Sequence, residues 1–221
     1  MIFADFEASG LHQGSYPVEV GWCSHDLRTG WSSLIRPEPE WTQTGWSFMG
    51  ETLHKISLDR AMSSGRAVGE VVQRLNSDLA DQQVMTDSPE WDSRWLWRMY
   101  DAASVFPTFA VLPKESLMGG AFSTVLQWHG VPVSVDSEAV ITLAAKRASV
   151  GASEHELFAA ALNAEAGIIP HRALHDAVAH ALSLGAVALL ELANERGDAA
   201  ASAAKAELVS RARRLLADHS R

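Results

Sequence analysis

The chain has 221 residues, of which 47% are hydrophobic and 20% are charged, and its formal net charge is −9. This length suits one well-buried domain, or at most two small ones. The single cysteine, Cys23, excludes internal disulfides and a cysteine-based zinc site. The acidic balance argues against broad electrostatic binding to nucleic acid, because such binding relies on clustered lysine and arginine.

No secretory signal is indicated at the N-terminus, where no charged segment precedes an apolar run. The most apolar late stretch, residues 177–193, is short for a bilayer span and is interrupted by His180 and Glu191. It therefore predicts a buried helix. We expect a cytoplasmic protein without a membrane partner.

Three strand-like runs come first, over residues 2–8, 17–24 and 31–36. Asp5 and Glu7 lie in the first run, and the alternation of side chains along a strand places both on the same face. A buried strand has no structural use for two neighbouring carboxylates, because each is costly to desolvate and they repel each other. A divalent cation such as Mg²⁺ or Mn²⁺, which prefers oxygen ligands, would relieve this repulsion.

The middle of the chain offers further carboxylates. A loop is predicted from Pro37 to about residue 65, and apolar spacing then predicts a helix over 68–79. Asp87 ends a strand-like run over 83–87, and Asp92 begins a predicted helix over 92–101. Either aspartate could join Asp5 and Glu7.

After a predicted strand over 104–112, the chain is expected to be mostly helical. Together with the earlier strands, this pattern predicts an α/β fold in which helices pack on a mixed sheet. We expect a domain over residues 1–193 and a helical extension over 194–221 packed on it. The predicted helices cover about 121–129, 137–149, 153–166, 172–193 and 199–217.

A histidine and a fourth carboxylate, His171 and Asp176, come late in the chain. Pro170 indicates that His171 lies in the loop just before the helix that carries Asp176. Four carboxylates from three segments can hold two metal ions about 3.5–4 Å apart, the arrangement used in phosphodiester cleavage. From the loop, His171 could take a proton from water.

These segments resemble the motifs of a known family, the DEDD-type 3′–5′ exonucleases, which include ribonuclease T, oligoribonuclease and polymerase proofreading subunits. The spacing from His171 to Asp176 matches the subgroup whose third motif carries a histidine. The chain departs from the family pattern at Trp91, where a phenylalanine is usual, and near Asp87, where an asparagine is common. The matching segments are Asp5-Phe6-Glu7 with Ser9-Gly10-Leu11, Trp91-Asp92 with Trp95-Leu96, and His171 to Ala177.

The resemblance implies a ribonuclease H-like mixed central β-sheet flanked by helices, with a helix-rich C-terminal half. It implies an enzyme that releases nucleoside 5′-monophosphates from the 3′ end of single-stranded RNA or DNA, with His171 as the base. It also implies two Mg²⁺ or Mn²⁺ ions held by Asp5, Glu7, Asp92 and Asp176, and substrate contacts from Ser9, Gly10 and Leu11. Whether Asp87 or Asp92 is the ligand from the second motif stays open.

Two other functional classes fit the same residues. One is a catalytically silent module that binds nucleic acid or another partner on the same fold. The other is a metal phosphohydrolase acting on small phosphate esters, which would not need the third motif. The sequence leaves open the choice between RNA and DNA, and also the oligomeric state, for which a homodimer is compatible.

Overall fold

A computed structural model of the chain describes residues 1–43, 45–114 and 152–219. These residues form two compact units. Unit 1 comprises residues 1–24, 30–113 and 169–177, and unit 2 comprises the other described residues. The predicted domain boundary at residue 193 stays a prediction. The helices predicted over about 121–129 and 137–149 lie outside the described residues.

Unit 1 is built on one mixed sheet of five strands in the order β3-β2-β1-β4-β5. β1 lies at the centre, antiparallel to β2 and parallel to β4. β3 extends the antiparallel side and β5 the parallel side. The predicted α/β class with a mixed central sheet is confirmed. The strands are Ile2–Ala8 (β1), Pro17–Ser24 (β2), Gly30–Leu34 (β3), Gln83–Thr86 (β4) and Ala110–Pro113 (β5).

The alternation of side chains along β1 separates the core from the acidic face. Ile2, Ala4, Phe6 and Ala8 belong to the hydrophobic core of unit 1. The side chains between them project from the opposite face, because successive residues of a strand alternate. Asp5 and Glu7 therefore share one face of the central strand.

Unit 1 contains both helices predicted between residues 68 and 101. Helix α3 spans Val68–Leu79, as predicted, and buries its apolar side against the core. Helix α4 spans Pro89–Ala103, so it begins three residues before the predicted start at Asp92. Pro89 fits the first turn, because that position needs no backbone N–H donor. Asp92 therefore lies in the first turn of α4.

The prediction of a loop from Pro37 to about residue 65 is wrong where the chain forms helices. The described part of the segment contains a short 3₁₀ helix, Trp41–Gln43, and two short α-helices, α1 (Phe48–His54) and α2 (Leu58–Ser64). A serine caps the start of each α-helix: Ser47 Oγ accepts a hydrogen bond from Gly50 N, and Ser57 Oγ accepts one from Arg60 N. Serine at this position satisfies a backbone donor that the helix itself leaves unpaired.

The strand predicted over 104–112 forms only at Ala110–Pro113. Ser104 ends α4 in a left-handed backbone conformation. The next residues are held by Asn76 of α3, whose amide nitrogen donates to Phe106 O over 2.9 Å and whose oxygen accepts from Thr108 N over 3.0 Å. These side-chain bonds replace strand pairing over the first half of the predicted run.

The described part of the chain after β5 is helical, as predicted. Helix α5 spans Ala152–Ala166, α6 spans Ala173–Arg196 and α7 spans Asp198–His219. The first five residues of α6 belong to unit 1 and the rest to unit 2. In unit 2, Gly185 lies so close to α7 that a Cβ there would come within 2.5 Å of Leu208 Cδ2.

Helix α6 is long and apolar enough to cross a membrane by length and composition alone, with a mean hydropathy of 1.5 over its most apolar window. Of that window, 61% is buried within the protein. Core helices pass the same test, so this one helix is weak evidence for a membrane span.

Candidate active site

The acidic face of β1 continues onto β2. In the antiparallel register Asp5 lies opposite Gly21 and Glu7 lies opposite Glu19. Residues directly opposite each other in such a pair project from the same face. This face therefore carries three carboxylates and one glycine.

Gly21 lets the start of α6 lie directly on the sheet. A Cβ at this position would come within 2.1 Å of Leu174 N and 2.5 Å of the Ala173 carbonyl carbon. No side chain fits in that space, because real Cβ atoms do not approach backbone atoms so closely. The absence of a side chain at Gly21 thus brings the segment that follows His171 to the acidic face of β1.

His171, Asp176 and Glu7 come together at this point. One potential ligand atom from each residue lies within 4.8 Å of the others. His171 lies in the loop before α6, as predicted, with its side chain exposed and its backbone in the left-handed region (φ 60°). Asp176 lies in the first turn of α6, where its N–H donates to Arg172 O over 2.9 Å.

Asp92 reaches the same face from α4. Its carboxylate accepts a hydrogen bond from the Thr86 hydroxyl at the end of β4, and its N–H donates to Ser88 O over 2.9 Å. Only 2% of Asp92 is exposed, whereas Asp87 is an exposed residue of the turn between β4 and α4. Both aspartates contribute to the electrostatic field at Asp5.

Burial and mutual repulsion raise the pKa of every one of the four predicted ligands. Burial, followed by the charge of Asp176, raises the pKa of Glu7 to about 8. Burial and the charge of Asp87 raise the pKa of Asp92 to about 8. Burial is also the largest cause that raises the pKa values of Asp5 and Asp176. Without a cation, Glu7 and Asp92 therefore keep their protons at neutral pH, because burial and the nearby charges make the ionised forms unfavourable.

The donor set fits hard divalent cations. Carboxylate oxygens are the ligands that Mg²⁺ and Mn²⁺ prefer, and a cation would lower the pKa values that repulsion raises. Glu7 and Asp176 offer oxygens within 4.8 Å of one another, and Asp5 and Asp92 lie in the same field. The residues present therefore fit a divalent cation.

The segment Ser9-Gly10-Leu11 follows β1 directly. Its first two residues are buried in the loop, whereas the third is exposed. Ser9 is fully buried and holds the loop: its N–H donates to Tyr16 O, its hydroxyl accepts from Tyr16 N, and its carbonyl accepts from Ser47 N over 2.7 Å. Gly10 permits the close approach of α1, since a Cβ there would lie 2.8 Å from Ser47 Cβ. Leu11 is 73% exposed, so its side chain is accessible to a ligand.

Glu19 and Arg172 form an ion pair that was not predicted from the sequence. Glu19 Oε1 accepts from Arg172 Nη2 over 2.6 Å, and Oε2 accepts from Arg172 Nε and from Ala173 N, both over 3.0 Å. The two residues are 153 positions apart. The available signal was a single carboxylate in an otherwise apolar strand, Val18-Glu19-Val20-Gly21.

A scan against models of protein families finds no match, and a search of curated protein sequences finds none either. Among solved structures, E. coli exonuclease I in complex with a dA16 oligonucleotide is similar, with a TM-score of 0.45, 11% identity, and coverage of 55% of this chain and 29% of that chain. The zinc-bound form of the E. coli exonuclease I–single-stranded DNA complex is also similar, with a TM-score of 0.48 and 13% identity. That alignment covers 88% of this chain and 40% of that chain.

The aligned region therefore spans less than half the length of exonuclease I. With TM-scores below 0.5, these likenesses support no conclusion by themselves. The case for a function depends instead on the side chains of unit 1.

Proposed function

We propose that this chain is a metal-dependent 3′–5′ exonuclease that releases nucleoside 5′-monophosphates from single-stranded nucleic acid. The observation that carries the proposal is the convergence of Glu7, His171 and Asp176, three residues from two distant segments, within 4.8 Å of one another. Asp5 and Asp92 lie in the same electrostatic field. The motifs that resemble the DEDD-type exonucleases lie on these same residues.

Asp5, Glu7, Asp92 and Asp176 are the proposed metal ligands. Two bound divalent cations would stabilise charge on the phosphate and lower the pKa of the attacking water. The raised pKa values of all four carboxyl groups support this assignment, because strongly perturbed carboxylates cluster at functional sites. Asp92 is the proposed ligand because it is buried and is the charge that acts most strongly on Asp5. Asp87 is the alternative, because it offers a carboxylate oxygen within 4.8 Å of one from Asp5.

His171 is the proposed general base. Its side chain is exposed, so water can reach it, and it lies within 4.8 Å of Glu7 and Asp176. A ring nitrogen takes the proton as the water oxygen attacks the terminal phosphorus, and the 3′-oxygen of the preceding nucleotide leaves. A positioned base of this kind contributes about 10²–10⁴-fold to the rate.

The terminal nucleotide is proposed to bind over Ser9-Gly10-Leu11. Ser9 anchors the loop, and the exposed Leu11 can pack against the terminal base. A substrate held at its end needs few phosphate contacts, which is compatible with the net charge of −9. The cytoplasmic location expected from the sequence is likewise a proposal.

The proposal is tested with single-stranded DNA and RNA labelled at either end. With Mn²⁺ or Mg²⁺, a 3′ label should appear at once as a mononucleotide, while a 5′ label should appear as a ladder of shortening strands. Excess chelator should abolish both. Undiminished cleavage in chelator, or a ladder from the 3′-labelled strand, contradicts the proposal. Turnover of a generic phosphate ester alone would favour a small-molecule phosphohydrolase, and no turnover at all would favour a silent binding module.

A further inference from the structure

An ion pair between the buried Glu19 and the partly exposed Arg172 lies beside the candidate active site and has no assigned role in the proposed chemistry. The side chain of Glu19 is only 3% exposed, and it receives three donors from the start of α6: Arg172 Nη2, Arg172 Nε and Ala173 N. The bidentate contact with the guanidinium fixes the orientation of both side chains as well as the distance between them.

Stability does not by itself account for this pair. Burying the Glu19 carboxylate carries a desolvation penalty that can exceed its attraction to the partly exposed guanidinium of Arg172, so well-packed apolar residues would often hold two elements together as well. Buried ion pairs can instead specify one geometry among several. The question is therefore which geometry the pair between Glu19 and Arg172 specifies.

Its position points to His171. Arg172 is the next residue along the chain, and Glu19 lies directly opposite Glu7 in the β1–β2 register. The pair thus links the strand position beside a proposed metal ligand to the residue beside the proposed base.

His171 also needs such support, because its backbone is left-handed (φ 60°), a conformation that L-residues other than glycine rarely adopt. Such a conformation persists only when its surroundings impose it. The loop is held on the N-terminal side too, where Ile169 N donates to His175 Nδ1 over 3.1 Å. Glu19 restrains the C-terminal side through Arg172 and Ala173.

We propose that Glu19 and Arg172 are positioning residues that hold His171 in place over Glu7 and Asp176. The consequence for turnover rests on the proposed exonuclease function, whereas the positioning itself does not. Neither residue touches the reacting atoms. Their effect on the reaction passes through the orientation of the imidazole, for which a displacement of about 1 Å can cost about 10²-fold in rate.

Two variants test the proposal. Arg172→Ala removes the guanidinium and leaves the Glu19 carboxylate buried without its cation. This variant therefore combines displacement of His171 with a loss of protein stability. The double variant Glu19→Gln/Arg172→Gln removes both charges and keeps an acceptor for Ala173 N, so it guards against a simple failure to fold. Arg74→Ala is the matched control, because it breaks the ion pair between Arg74 and Asp78 on α3.

The first measurement needs no activity. In metal-free protein, nuclear Overhauser contacts between the His171 ring and the side chains of Glu7 and Asp176 should be present in the wild type and in Arg74→Ala. They should be lost or strongly weakened in the double variant while its remaining amide spectrum stays native. Unchanged contacts in the folded double variant overturn the proposal, whether or not the chain cleaves nucleic acid.

The second measurement is the kinetic counterpart. In the double variant, kcat on single strands should fall about 10–100-fold, while KM and the midpoint of a Mn²⁺ titration stay within about twofold. Arg172→Lys keeps the positive charge but not the bidentate contact, so its kcat should lie between those of the double variant and the wild type. If the wild type is active and the double variant has the same kcat, the positioning role is contradicted and the exonuclease proposal is not. An inactive wild type with intact nuclear Overhauser contacts contradicts the exonuclease proposal alone.

Discussion

Glu7→Gln should make the metal-free protein more stable at neutral pH. Burial is the largest cause that raises the pKa of Glu7 from 4.5 to about 8, followed by the charges of Asp176 and Glu19, while Arg172 acts in the opposite direction. Between pH 4.5 and 8 the folded state holds this proton and the unfolded chain has released it. Because the folded state binds more protons, the free energy of unfolding falls as the pH rises through this window.

The expected size follows from the width of the window. One proton bound only by the folded state changes the free energy of unfolding by about 1.4 kcal/mol per pH unit. Between pH 5 and pH 7, Glu7 should therefore cost about 3 kcal/mol of stability in the absence of metal. Glutamine is similar in size and does not titrate, so Glu7→Gln removes this dependence. The remaining slope of the variant comes from the other raised carboxyl groups, among them Asp5 and Asp92.

The assay is urea unfolding at pH 5, 6 and 7 with a chelator present, extrapolated to zero denaturant. The wild-type slope against pH should exceed that of Glu7→Gln by about one proton. Glu70→Gln, which alters an exposed glutamate at the start of α3, should retain the wild-type slope. Parallel slopes for wild type and Glu7→Gln, or a variant less stable than wild type at pH 7, would refute the reasoning.

Two further substitutions test the proposed roles. Asp5→Asn should abolish turnover and leave the melting temperature in chelator unchanged or raised, since burial and four neighbouring carboxylates raise the pKa of Asp5. Calorimetry and strand cleavage check this, with Asp59→Asn on the exposed face of α2 as control, and an unfolded Asp5→Asn protein would contradict the assignment. His171→Ala should lower turnover by about 10²–10⁴-fold with Mn²⁺ binding retained. Single-turnover kinetics check this against His219→Ala in unit 2, and equal losses would mean that His171 is not the base.

The sheet and the longer helices of unit 1 could be predicted because their signals are local. Alternation over a few residues marks β1, and apolar spacing with a 3.6-residue period marks α3. Helices α1 and α2 were missed because each spans only seven residues, too few for a periodic pattern. Their serine caps at Ser47 and Ser57 were the local signal that remained.

In the candidate site, too, some features could be predicted from local sequence and others depend on tertiary structure. The amino-acid sequence by itself determined that Asp5 and Glu7 share a face, because alternation along a strand is a property of the backbone. It also placed His171 before a helix and Asp176 within it. Tertiary structure alone decided that these segments meet, through the missing side chain at Gly21 that lets α6 lie on the sheet.

Tertiary structure also decided the partner of Glu19. No local pattern relates Glu19 to Arg172, because 153 positions separate the two residues. Only the packing of the start of α6 on β2 brings them together. The same holds for the raised pKa of Glu7, which depends on burial and on the charge of Asp176. Side-chain types and their periods are encoded locally, whereas burial and electrostatic coupling exist only once distant segments pack, so the sequence could name the site residues but not their energetics.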